Sequence, residues 1–421
     1  MWKNLTAALA AVLALVFLAG AGSQVVRRGR IFDATTGKPI DKAIVTLGDS
    51  TAHTDPNGRF EIRAKGLRLG ARAYGYSRGW ADLAERPGAA QDFALRGFAP
   101  KALYLSVYGI GDRRLRESAL ELIETTELNA LVVDIKGDRG MIPYRSGVPL
   151  AAQVGAQQVI TVRDIGDLVK SLHDKGVYAI ARIVVFKDNP LASARPDLAV
   201  KDLSGALWHD REGLAWTDPF KKQVWEYNIA LAVEAAQYGF DEIQFDYVRF
   251  PDARGLAFSM ANTEASRVKA VSEFLETARK KLTPYNVFLA ADIFGYVCWN
   301  LDDTGIGQTL EASAAHVDYL SPMLYPSGFH LGIPGCRAPV AHPYDVVYRS
   351  LARAGERTGL PPVRFRPWLQ AFRDYAFDRR PFATKEITQQ IRAAEEFGAN
   401  GWMLWNPQNI YSVDGLRGNG N

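Results

Sequence analysis

From Lys101 onward, short apolar runs alternate with longer stretches of helical character. The short runs predict strands over Ala102–Tyr108, Ala130–Lys136, Tyr178–Phe186, Glu242–Phe250, Phe288–Phe294, Tyr319–Tyr325, Val363–Phe372 and Gly401–Trp405. The longer stretches predict helices, among them Lys221–Tyr238, Glu264–Leu282, Tyr344–Arg357 and Lys385–Phe397. Gly239 and Gly398 follow two of these as C-terminal stop signals. Asp218-Pro219 reads as an N-cap followed by the first helical position. Eight strands joined by crossover helices predict a (β/α)8 TIM barrel over 98–421. A doubly wound open sheet is the competing arrangement, but no G-x-G-x-x-G follows the first strand.

The pattern before the barrel differs. Residues 24–97 carry short strand-like runs (VVRRGRIF, AIVTL, GRFEIR, ARAYGY) separated by turn signals such as Thr36-Gly37-Lys38-Pro39 and Asp55-Pro56-Asn57-Gly58. No helical period interrupts them, so a small antiparallel β-sandwich is predicted. The order of these runs resembles the carboxypeptidase regulatory-like domain, which implies an accessory role. Gly75-Tyr76-Ser77-Arg78-Gly79 matches the nucleophile elbow G-x-S-x-G. That motif needs a helix after its turn, and none is predicted here, so Ser77 is not assigned chemistry.

The first 23 residues read as an export signal. Lys3 precedes an apolar run from Leu5 to Ala19, and Ala19-Gly20-Ala21 supplies small residues for cleavage. An uncleaved anchor is the alternative, since the run approaches the ~18–20 residues that span a bilayer. The expected location is therefore periplasmic or secreted.

Composition narrows the partners. Fifty Lys+Arg against 46 Asp+Glu leave a formal net charge of +4 over 421 residues, with no basic block to track a nucleic-acid backbone. None of the 6 histidines forms H-x-H or H-E-x-x-H, so no metal or cofactor is expected. The 46 aromatic residues (9 Trp, 17 Tyr, 20 Phe) are a larger signal, because ring faces suit both cores and sugars.

Strand alternation sorts the polar residues. In the fourth strand Gln244 and Asp246 share one face, and Ile243, Phe245 and Tyr247 the other. The apolar set should meet the helices, so Asp246 points into the barrel. The same parity groups Asp134 with Lys136, places Arg182 inward, gives Asp292 the inner face of the fifth strand, and groups Arg366, Trp368 and Gln370 in the seventh. Charges cannot lie unpaired in a packed barrel, so this set belongs at the C-terminal mouth, where such barrels hold their sites. An internal ion-pair network without chemistry is the plainer alternative.

Asp246 and Asp292 end neighbouring strands, and glycosidic cleavage needs two carboxyl groups with opposite protonation. Asp134, Lys136, Arg182, Arg249 and Gln370 are candidate substrate-binding groups beside them. Tyr325, Trp368 and Trp405 are candidate stacking faces among the aromatics that follow the strand ends.

The stretches Val133-Asp134-Ile135-Lys136, Gln244–Pro251 (QFDYVRFP), Ala291–Gly295 (ADIFG), Asp318–Pro326 (DYLSPMLYP) and Gly401–Asn406 (GWMLWN) resemble a bacterial glycosyl hydrolase domain family over residues 100 to 410. The resemblance implies a TIM barrel distantly similar to α-amylase-like glycosidases. It implies Asp246 as nucleophile and Asp292 as acid/base, although Glu is usual at the latter position. Cys298 and Cys336 fall in the loops after the fifth and sixth strands and are expected to pair as a brace across the mouth. The expected function is an exported glycoside hydrolase acting on an oligo- or polysaccharide. A non-catalytic carbohydrate-binding barrel is the alternative, and a metal-dependent hydrolase or deacetylase a more distant one.

Overall fold

The computed structural model describes residues 25–83 and 90–419, so the expected export segment lies outside them. Among the described residues no helix is long and apolar enough to cross a membrane. The chain forms two compact units. The first runs to Phe98 and takes in Thr283–Asn286, and the second holds Ala99–Leu282 and the chain from Val287.

The first unit is built from β1 (Val25–Asp33), β2 (Ile44–Leu47), β3 (Ser50–His53), β4 (Arg59–Ala64), β5 (Arg68–Arg72), β6 (Gly79–Asp82) and β7 (Phe93–Leu95). They make a three-stranded sheet, β4-β1-β7, and a four-stranded sheet, β3-β2-β5-β6. Alternation in β4 turns Phe60, Ile62 and Ala64 inward onto Ile31, Val45 and Leu69. The sandwich is not wholly antiparallel, because β7 runs parallel to β1. Ser77 sits in a turn, bonded through its N–H and hydroxyl to the Arg96 carbonyl, and a strand follows it. The nucleophile-elbow geometry is therefore absent.

The second unit is a closed parallel barrel. Its strands are β8 (Lys101–Leu105), β9 (Ala130–Lys136), β10 (Tyr178–Val184), β12 (Glu242–Asp246), β14 (Phe288–Phe294), β15 (Tyr319–Met323), β16 (Trp368–Gln370) and β17 (Trp402–Trp405). Two short strands, β11 (Lys201–Asp202) and β13 (Leu256–Ala257), pair with each other outside the barrel. Helices such as Lys222–Gln237, Glu264–Leu282, Pro343–Thr358 and Thr384–Phe397 cross between barrel strands.

Several strands end earlier than expected, β8 at Leu105, β10 at Val184 and β15 at Met323, and three further boundaries differ for a backbone reason. β12 stops at Asp246 because Tyr247 takes φ 47°, a left-handed conformation that ends the pleat. β16 shrinks to three residues because Pro362–Arg364 form a 3-10 turn and Pro367 has no N–H to give a ladder. The helix that leads into β12 starts at Lys222, so Asp218 does not cap it. Instead Asp218 accepts from the N–H groups of Phe220 and Ser259 and ties two mouth loops together.

The barrel interior is polar in layers. Near the N-terminal end Arg366 Nη1 reaches both oxygens of Glu242 at 2.6 Å, and Tyr178 donates to the same carboxylate. Above them Gln244 donates to Ser321 Oγ. The charged layer at the C-terminal mouth is described below. The seam between β17 and β8 is locked by residues beyond the last strand. Asn409 Oδ1 accepts from the Ser106 hydroxyl at 2.6 Å, and the Tyr411 hydroxyl donates to the Tyr104 carbonyl at 2.9 Å.

Candidate active site

Arg182 organises the mouth. It stands on β10 directly beside Asp134 of β9, and its side chain is 1% exposed. Nη1 donates to Asp134 Oδ1 at 2.6 Å. Nη2 donates to Asp246 Oδ2 at 2.6 Å and to Asp138 Oδ1 at 2.9 Å, and Nε donates to Asp246 Oδ2 at 3.0 Å. The guanidinium lies over the rings of Tyr104 and Trp405, which stack on each other with centroids 4.0 Å apart. Burial opposes the charge on Arg182, but Asp134, Asp246 and Asp138 outweigh it and hold its pKa well above the usual guanidinium value.

The surrounding carboxyl groups are not equivalent. Asp246 takes two N–H bonds from Arg182 on Oδ2 and one from the Tyr247 backbone on Oδ1 at 2.5 Å, so both its oxygens are held. Asp134 accepts from the Tyr104 hydroxyl at 2.7 Å, and burial pushes its pKa up to about 7 against the pull of Arg182. Asp292 is 0% exposed. Burial first, and then the charge of Asp246, raise its pKa well above the carboxylate range, with Arg182 opposing. The Trp368 indole donates to its Oδ1 at 2.7 Å. Its Oδ2 lies 3.9 Å from Arg182 Nε and has no hydrogen-bond partner.

A cavity of about 260 Å³ opens above this cluster. Asp138, Arg182, Asp246 and Arg249 supply its charged wall, and Tyr247, Tyr296, Tyr325, Phe329, Tyr375 and Trp405 its aromatic wall. Most of these follow the C-terminal ends of barrel strands, as the topology requires of a site. Of the residues expected from sequence, Asp246, Arg182, Arg249, Tyr325 and Trp405 meet on this wall. Asp134 and Asp292 lie behind it and touch the cavity only through Arg182 and Asp246.

Four expectations are corrected. Lys136 does not face the site, because a bulge between Arg182 and Ile183 shifts the β9–β10 register and reverses the parity of Lys136. Its ammonium is buried against Asp188 Oδ2 at 2.5 Å and Asn228 Oδ1 at 2.7 Å, under the helix Lys222–Gln237. Trp368 offers no open face, since it is 1% exposed and holds Asp292. Gln370 is buried and braces a loop, accepting from Ser327 N–H and donating to Ser327 Oγ. Cys298 and Cys336 are both free and buried. Cys298 closes a 3-10 turn where burial pushes its thiol up to about 12, while Cys336 is pinned in a tight turn by two backbone bonds to Ile333. Each packs as a small apolar group, and no brace forms.

Sequence parity missed Asp138, Tyr296 and Tyr375, which lie beyond strand ends where alternation no longer applies. Asp138 had one local signal: it stands two residues past β9, at the mouth of the barrel. Among the described residues no group of three His, Cys, Asp or Glu side chains is arranged to hold a metal ion.

No curated protein matches the chain. Among solved structures, a hypothetical protein from Ruminiclostridium thermocellum ATCC 27405 is 40% identical over 45% of this chain and 96% of its own, with a TM-score of 0.41. The PgaB (BpsB) glycoside hydrolase domain from Bordetella bronchiseptica is 14% identical over 74% of this chain and 95% of its own, with a TM-score of 0.54. That likeness is one of fold, and it agrees with the closed (β/α)8 barrel. A family model described as "Putative glycosyl hydrolase domain" matches residues 102–411, and the chain belongs to that family.

Proposed function

We propose that the protein hydrolyses glycosidic bonds, with Asp246 as nucleophile and Asp138 as acid/base. One observation carries this reading: both carboxylates accept from the same nitrogen, Arg182 Nη2, at 2.6 and 2.9 Å on the wall of one cavity. The two accepting oxygens, Asp246 Oδ2 and Asp138 Oδ1, therefore lie no farther apart than the sum of those distances. Two carboxyl groups brought that close suit the ~5–5.5 Å of retaining glycosidases better than the ~6.5–9.5 Å of inverting ones.

The roles follow from environment. Arg182 and the Tyr247 N–H fix the Asp246 carboxyl in place on the cavity wall, where it would attack the anomeric carbon. Asp138 is 36% exposed, and a sugar filling the cavity would strip its water. As acid/base, Asp138 gives a proton to the leaving oxygen as the glycosidic bond breaks and takes one back from water in the second step. Asp292, expected as the acid, is assigned a positioning role instead: it is buried behind the wall on the Trp368 indole, and its raised pKa disfavours a second buried anion behind Asp246. Trp405 and Tyr325 suit sugar faces. The segment led by Lys3 supports action after export, on a polysaccharide outside the cytoplasm.

The test is reducing-end release on a glycan panel by wild type, Asp246→Asn and Asp138→Asn. Asp246→Asn should lose turnover on every substrate. Asp138→Asn should lose it on natural glycans; on aryl glycosides, whose leaving group needs no proton, it should keep the first step but stall at the glycosyl-enzyme, with azide restoring turnover. The product should keep its anomeric configuration by NMR. Binding without turnover by wild type would favour the alternative, a carbohydrate-binding barrel, for which the full compensation of Arg182 by carboxylates already argues.

A further inference from the structure

A second cavity of about 490 Å³ adjoins the first and shares Tyr247 and Arg249 with it. Its walls are the excursions after β10 and β12, which β11 and β13 staple together in antiparallel pairing. The floor is fixed, because the Trp216 indole donates to Asp210 Oδ2 at 2.9 Å and is buried. Trp208 stands beside it, half-buried, with ring centroids 6.5 Å apart.

The charges in this cavity differ in whether they are satisfied. Lys187 is buried between Asp210 and Glu212 and over the Tyr247 ring, so its charge is spent within the protein. Arg249, at the junction of the two cavities, is not spent. Its guanidinium lies over Trp216 at 5.1 Å and over Tyr247 at 5.0 Å, and one N–H bonds the Phe250 carbonyl. Among the described residues it makes no ion pair. A planar fork held over aromatic rings, with no carboxylate partner of its own, is suited to an oxyanion from outside.

We propose that this second cavity is a sugar subsite continuous with the catalytic cavity, taking the next residue of an acidic glycan chain. Trp208 stacks on the sugar, and Arg249 receives the carboxylate or sulfate that the chain carries. This rests on the glycoside hydrolase reading for the cut itself, but the subsite is a binding claim and can be measured without turnover.

The experiment is calorimetric titration of the full chain with tetrasaccharides: oligogalacturonate for carboxylate, a chondroitin sulfate tetramer for sulfate, and cellotetraose and chitotetraose as neutral controls. At least one acidic tetramer should bind about tenfold or more tighter than both neutral ones at low salt, and lose that margin at high salt. Arg249→Gln should abolish the margin. Trp208→Ala should weaken the acidic tetramer by about tenfold but leave the matching disaccharide unchanged, and Trp208→Phe should restore most of the loss. The proposal is overturned if acidic and neutral tetramers bind alike, if none binds, or if Trp208→Ala affects di- and tetrasaccharides equally. Turnover on the same panel separates the two readings. Cleavage that ignores both variants removes the subsite and keeps the hydrolase, whereas variant-sensitive binding without cleavage does the reverse.

Discussion

Asp246, at the end of β12, and Asp138, in the loop after β9, accept from one nitrogen of Arg182, Nη2. The guanidinium is thus the common counter-charge of the wall and of Asp134 behind it. Arg182→Met should leave these carboxylates buried without compensation, costing about 3–5 kcal/mol. The loss should be larger at pH 8 than at pH 5, because without Arg182 the folded state would rather keep its carboxyls protonated. Urea unfolding at the two pH values checks the difference; equal losses would mean that Arg182 acts through packing alone.

Asp292 gives wild type its own pH dependence. Its folded pKa is raised, so the folded chain holds a proton that the unfolded chain releases above about 3.9. Stability from this group is full below that value and is lost as pH rises towards the folded pKa. Asp134 acts in the same direction between its ordinary 3.8 and about 7. Asp292→Asn keeps an acceptor for Trp368 and carries no proton to lose. It should therefore flatten the decline, and melting temperatures from pH 5 to 8 would show whether it does.

Trp368 serves Asp292 rather than substrate. Trp368→Phe keeps a ring but removes the indole donor, leaving Asp292 Oδ1 unsatisfied at a cost of about 1–3 kcal/mol. Turnover should fall without a matching rise in KM, since no sugar-binding face is lost. A large KM increase at constant kcat would instead return Trp368 to the substrate side.

Lys136 is a structural cation. Lys136→Met should destabilise by about 3–5 kcal/mol through the orphaned Asp188, and adding Asp188→Leu should recover much of it. KM measured on the folded fraction should not move. If Lys136→Met raises KM while stability holds, the ammonium reaches substrate after all.

Tyr247 carries left-handed backbone at the cavity wall. Tyr247→Gly relieves that conformation, which costs of order 1–3 kcal/mol, but removes a ring shared by both cavities. Turnover should drop sharply while backbone strain is released. A variant with wild-type turnover would show that the strained residue serves no function.

The barrel was legible because its strands are buried on both faces and its helices carry glycine stops, so eight alternations stand out. Arg182, Asp246 and Asp292 were legible because parity holds along an unbroken strand. Lys136 was misjudged because one bulge reverses parity, and a bulge is a property of two strands that neither sequence declares. Trp368 and Gln370 were placed on the right face but at the wrong depth, since alternation gives direction and not exposure. Asp138 lay outside parity altogether, one turn past a strand end. The cysteines shared a mouth, but neighbouring loops fix no Cβ separation.

The seam between β17 and β8 sets when the site can exist. Tyr104, on the first barrel strand, holds Asp134 and stacks on Trp405, on the last. Asn409 and Tyr411 then fasten the closure. About 300 residues of chain therefore separate the two halves of the Arg182 cradle in synthesis, and closing so long a loop comes late. A nascent chain released short of Trp405 would lack one of the two rings under the guanidinium and the clasp that holds the seam. The Arg182 cradle is thus complete only when the last barrel strand is in hand, so the candidate site forms with the barrel as a whole.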